Sequence, residues 1–151
     1  MTLDALLAIA HHLSVFSLVA LLVVELVVMR LPMGAPEIAR FSRYDGLYGI
    51  SAIAVVIVGI ARINLGAKPA DFYMHNGFFW LKMAALGVIA LLTIYPTVRA
   101  GAWRKSVAAD PAYAVPEDEV RRVRRTLHIE LAILPLVPIS AALMARGIGS
   151  F

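Results

Sequence analysis

The sequence predicts an all-α fold: a four-transmembrane-helix bundle, a single integral membrane domain over residues 1–151, with the N and C termini outside. Three observations carry this. Of the 151 residues, 61% are hydrophobic and only 16% charged, and the mean hydropathy is +0.82; soluble domains are roughly 45–50% apolar and about 25% charged. Four apolar stretches are each long enough to cross a bilayer, which takes about 20 residues at 1.5 Å of rise per residue. No alternating strand pattern competes with them, and bacterial membrane barrels start at about eight strands. The composition excludes an ordinary cytosolic enzyme, a nucleic-acid-binding domain and a disordered segment. The net charge of +4 therefore fits basic loops that set topology better than a nucleic-acid partner.

The first stretch runs from about Ala5 to Met29, ending at Arg30. Its N-terminus carries Asp4 and no basic segment, and its apolar run is longer than that of a cleavable signal. Leu31-Pro32-Met33-Gly34-Ala35-Pro36 breaks the chain before the second stretch, from about Leu47 to Leu65. Gly66-Ala67-Lys68-Pro69 precedes the third, from about Phe78 to Val98, which ends at Arg99. Asp110 to Pro116, with two prolines, precedes the fourth, from about Leu127 to Ala145. Pro116-Glu117-Asp118-Glu119 reads as a helix start with acidic residues in the first turn, so helix four begins in water and enters the membrane near Thr126. Gly46 and Gly49, near one face of helix two, would allow close helix approach within one chain or in a homo-oligomer.

Basic residues set the orientation. Arg30, Arg40 and Arg43 lie between helices one and two; Arg99, Arg104, Lys105, Arg121, Arg122, Arg124 and Arg125 lie between three and four. With four spans these loops share a side, and the opposite side offers little beyond Lys68 and Arg146. Positive residues stay inside, which predicts a multi-pass protein of the bacterial cytoplasmic (inner) membrane with both termini outward. Arg121, Arg122, Arg124 and Arg125 read first as a solvated topology signal, and alternatively as a contact for anionic lipid headgroups.

Charged side chains inside a span cost about 2.5–3.5 kcal/mol each, so those present call for function or for internal pairs. An outer-side group comprises His11, His12, Arg62, His75 and Lys82. Snorkelling toward headgroups would account for Arg62 and Lys82, and an interfacial loop for His75. Two adjacent histidines inside an apolar span are harder to explain structurally. An inner-side group comprises Glu25, Asp45, His128 and Glu130. Glu25 lies several residues inside its span and is expected to pair with an arginine or with His128, either as a structural ion pair or as part of a proton route. Cysteine is absent, which removes thiolate chemistry, and no Gly-rich phosphate loop, zinc motif or nucleophile elbow appears. Adjacent histidines point about 100° apart on a helix and suit one small metal ion poorly. A single bundle histidine suits the axial position of a b-type haem, whose propionates favour nearby cations. His11 or His12 would ligate the iron, with a slight preference for His12 as the deeper of the two. Lys82 or His75 would supply a second ligand or a propionate contact, and Arg62 a bidentate propionate contact.

Ala10-His11-His12-Leu13 with its following helix through Glu25 to Arg30, together with Tyr44-Asp45-Gly46-Leu47-Tyr48-Gly49, Arg62 and Phe78-Phe79-Trp80-Leu81-Lys82-Met83, resembles an uncharacterised bacterial family of predicted membrane proteins with a domain of unknown function. That resemblance covers most of the chain and implies no activity. More distantly, the chain is similar to the membrane-type protoporphyrinogen oxidase family, a small helical bundle associated with haem b. That family carries a Leu-His motif in its first helix and a Trp-x-Lys motif opening a later one. His11 or His12 would correspond to its histidine, and Trp80-Leu81-Lys82 matches its second motif. The copper-resistance membrane domain family has a similar helix layout. The chain departs from the oxidase pattern: Ala10 and His11 stand where leucine would precede the histidine, and Val28-Met29-Arg30 replaces the Pro-Arg pair closing the first helix. The resemblance implies a bound haem or porphyrin more than it implies oxidase chemistry. The expectation is a membrane haem b protein with a redox or haem-linked role. The alternative is a cofactor-free small membrane protein, a proton or ion handler or an accessory subunit.

Overall fold

The four apolar stretches form four long helical segments in the computed structural model, which describes residues 2–151. Helix α1 (Leu3–Val28) starts on Thr2, whose hydroxyl accepts a hydrogen bond from Ala5 N at 3.3 Å, a serine/threonine-type cap. Helix α2 (Ala35–Leu65) starts after Gly34, with Pro36 in its first turn, where a missing N–H costs nothing, and Glu37 folding back to accept from Gly34 N at 3.2 Å. A short helix α3 (Ala70–Met74) crosses the connection to α4 (Gly77–Ala109), which Asn76 caps by accepting from Phe78 N at 2.9 Å. The fourth span, Glu117–Ala145, is divided into α5 (Glu117–Ile133) and α6 (Leu136–Ala145). The division falls at Leu134-Pro135; Pro135 and then Pro138 each remove a backbone donor from the ladder. The helix start expected at Pro116-Glu117 is where α5 begins.

Two helices are longer than hydropathy alone implied. Helix α2 starts at Ala35 rather than near Leu47, and α4 continues to Ala109 rather than stopping near Val98. Arg40, Arg43, Asp45, Arg99, Arg104 and Lys105 therefore lie on helices, not in loops. The reason is amphipathicity: Ile38, Phe41, Asp45 and Tyr48 recur at helical spacing and are buried, as are Pro96, Ala100 and Trp103. At 31 and 33 residues these helices measure roughly 46 and 50 Å, against about 30 Å of hydrocarbon, and they overrun the bilayer at one end.

That overrun carries much of the tightly packed core. Phe41 and Trp103 stack at 5.9 Å between ring centroids and, with Met33, Val115, Val120 and Val123, are almost fully buried. Trp103 Nε1 donates to Glu119 Oε2 at 2.8 Å, and Arg99 forms an ion pair with the same carboxylate, so α4 and α5 are locked together. The two proline-bearing connections meet here: Val115 N donates to Met33 O at 2.9 Å, and Arg124 donates to Met29 O at 3.3 Å. Of the 14 Lys and Arg residues, all but Arg62, Lys68, Lys82 and Arg146 lie at this end, hereafter the basic end.

Both termini lie at the other, terminal end. Ala67 N donates to Asp4 Oδ1 at 3.1 Å, and the C-terminal segment is held by Asn76 Nδ2 donating to Ile148 O at 3.1 Å and Phe151 N donating to His75 O at 3.1 Å. Gly149 makes this strap possible: its φ is +82°, and a Cβ there would stand 2.6 Å from the Phe78 ring. Around the bundle, α1 packs along α2 and α5, while α4 packs along α2, α5 and α6. Phe16, Ile50, Ile53, Leu91 and Ile94 point outward from the spans and meet lipid. Gly46 and Gly49 serve no close contact within the chain, since a Cβ at either would meet nothing within 4 Å.

Candidate functional site

The polar residues of the spans separate into two clusters, as the sequence suggested, with different membership. At the terminal end His11, Arg62 and Lys82 converge from α1, α2 and α4. The His11 ring is half-buried against α2 beside Gly59, where a Cβ would be in ordinary van der Waals contact, 3.6 Å from its Cε1. One turn further along α2 is Arg62, and both Arg62 and Lys82 lie within Coulombic reach of the imidazole. Lys82 is half-buried, its Nζ 5.3 Å from the Phe79 ring centroid. His11 Nδ1 and Arg62 Nε are buried with no hydrogen-bond partner. Among the described residues no carboxylate forms an ion pair with Arg62 or Lys82. The cluster is thus cationic, with unsatisfied nitrogens and no counter-charge.

The other two expected members stand apart. His12 is exposed on the far side of the helix, and its Nδ1–H donates to Ala8 O at 2.7 Å. His75 is exposed beyond the start of α4, donating from Nδ1 to Asp71 O at 3.2 Å, with its ring 6.2 Å from Phe151. His75 and Lys82 do not share a helix, because Asn76 begins α4 between them.

At the basic end Glu25 of α1, Asp45 of α2 and Glu130 of α5 face inward and are 1%, 8% and 0% exposed. The partners of Glu130 and Asp45 are hydroxyls: Tyr48 OH donates to Glu130 Oε2 at 3.2 Å, Thr93 Oγ1 lies 3.1 Å from the same oxygen, and Thr97 Oγ1 donates to Asp45 Oδ1 at 2.8 Å. Glu25 Oε1 and Glu130 Oε1 are buried without partners. His128, grouped with them from the sequence, instead points outward and donates to Arg124 O at 2.7 Å. Glu25 pairs with neither an arginine nor His128; the arginines nearby are turned to Glu119, to Met29 O or outward. Tyr48 and Thr97 were not anticipated, although Asp45-x-x-Tyr48 and Thr93-x-x-x-Thr97 put each pair on one helix face.

Between the clusters Leu18, Leu22, Val55 and Ile89 close the bundle with apolar packing. His11 and Glu25, fourteen residues apart on α1, are about 21 Å apart along its axis. On the outer face of α5, Arg121 bonds Glu117 at 2.7 Å and Arg122 pairs with Asp118, exposed i,i+4 pairs worth about 0.3–0.5 kcal/mol.

Four apolar helices with an apolar exterior and buried polar clusters define a multi-pass α-helical membrane protein. The chain belongs to the family described as Predicted membrane protein (DUF2214), which matches residues 3–149. No curated protein and no solved structure matches it significantly.

Proposed function

We propose that the chain is a bacterial inner-membrane protein that binds a b-type haem at the terminal-end cluster, on the outer side of the membrane, in a redox or haem-linked role. The observation that carries this reading is a buried imidazole nitrogen without a partner, beside two cations without a counter-ion. Such a set asks for a ligand that offers a Lewis-acidic centre and anionic arms together, and iron porphyrin is that combination. His11 would hold the iron, from its half-buried place against α2 beside Gly59. Arg62 would take a propionate through its planar fork, and Lys82, leaving the bundle over Phe79, would take the other. Haem, when bound, supplies one-electron chemistry. The basic residues at the opposite end support the outward placement of this site.

The absorption spectrum of the full chain purified with added haem tests the proposal. A Soret band with reduced α/β bands is expected. His11→Ala should abolish them while helicity stays intact, and Arg62→Ala should weaken haem retention without changing the band shape. His12→Ala should leave the spectrum unchanged. A spectrum lost only in His12→Ala would move the ligand to the lipid-facing ring. A featureless spectrum would sink the haem reading. It would leave the cofactor-free alternative, a small proton-handling membrane protein, which the buried carboxyls at the basic end favour.

A further inference from the structure

The carboxyl cluster at the basic end plays no part in that haem reading. Glu25, Asp45 and Glu130 approach from three helices, and the groups facing them are Tyr48 from α2 and Thr93 and Thr97 from α4. Among the described residues no cation is one of the charged groups acting on any of the three; the charged neighbours of Glu25 are Asp45 and Glu130 themselves. Glu25 is 1% exposed, its Oε1 has no partner, and the carboxyls of Asp45 and Glu130 lie within Coulombic reach of it. The surrounding helix surface at this depth is still lipid-facing, with Val98 and Ile129 exposed on α4 and α5. Three ionised carboxylates at such a place, with no buried cation, would carry a prohibitive desolvation and repulsion cost. Carboxyls that crowd one another lower that cost by holding protons between them, and the three hydroxyls serve as donors or acceptors whichever oxygen is protonated.

We propose that Glu25, Asp45 and Glu130, ringed by Tyr48, Thr93 and Thr97, form an internal proton-binding site that exchanges with water at the basic end. Asp45, the most exposed of the three and bonded to the exposed Thr97 at the seam of α2 and α4, is the outlet. Glu25 and Glu130, with their unpartnered oxygens, are the inner holders. Leu18, Leu22, Val55 and Ile89 seal the site from the terminal-end cluster, so protons enter and leave on one side.

Infrared spectroscopy of the full chain in lipid nanodiscs tests this without a ligand. A carboxylic-acid C=O band is expected at neutral pH, shifting in D₂O and disappearing at high pH. Glu25→Gln and Glu130→Gln should each reduce the band, and Tyr48→Phe should shift it. Should a variant fail to fold, the wild-type band and its D₂O shift decide alone. No such band at neutral pH, a band that never exchanges in D₂O, or a band unaltered by all the Gln variants would overturn the proposal. A haem spectrum is read independently, so either site can fail without the other.

Discussion

Tyr48 shows how far a single side chain could be read in advance. Glu25, Asp45 and Glu130 stood out in the sequence because a carboxyl inside an apolar run is costly. Their partners did not, because the direction of a side chain across a bundle depends on the rotation of neighbouring helices, which one helix's periodicity does not contain. Hence His128, which the sequence groups with the carboxyls, points away, while Tyr48, fully buried, donates to Glu130. The same limit applies to the histidine pair: depth along the span slightly favours His12, whereas the helix rotation turns His11 against α2 and leaves His12 exposed. Tyr48→Phe removes one donor and leaves a buried carboxyl with the Thr93 hydroxyl alone, so a loss of about 1–3 kcal/mol is expected in a reversible detergent unfolding titration. Tyr95→Phe, at a partly exposed position, should change stability by less than about 0.5 kcal/mol. Equal effects would mean that the Tyr48 hydroxyl is not satisfying Glu130.

At the scale of elements, hydropathy located all four spans to within a few residues at their terminal ends, since lipid demands long apolar runs there. It missed where α2 begins and where α4 ends, because those segments are amphipathic and leave the bilayer. Their contribution is measurable. Trp103 is 1% exposed, stacked on Phe41, and bonded to Glu119, so Trp103→Ala opens a cavity outside the membrane and leaves the carboxylate with Arg99 alone. A destabilisation of about 3–5 kcal/mol is expected from the thermal or denaturant transition. Leu91→Ala, 70% exposed toward lipid, should cost under about 1 kcal/mol. If the two are alike, the aqueous extension does not hold the helices together.

For the whole molecule, the placement of both termini at one end and of the basic connections at the other is fixed by the packing, and the charge distribution predicts, as part of the proposal above, that the termini face outward. A periplasm-active reporter fused after Phe151 should be active and one inserted at Ala109 inactive; a cytoplasm-active reporter working at the C-terminus would reverse the orientation. With that orientation, the two clusters amount to a fixed electrical polarity along the membrane normal: surplus positive charge toward the outside, acidic groups toward the inside, about 21 Å of oily packing between them. The resting voltage, negative within, opposes such an arrangement by up to about 2.3 kcal/mol per elementary charge per 100 mV if the charge lies across the full drop. Filling either pole, with an anion at one and a proton at the other, carries the ion from its own side part of the way against the field. Occupancy of both poles then becomes a function of how energised the cell is, and collapsing the voltage with an ionophore would tighten the hold on each.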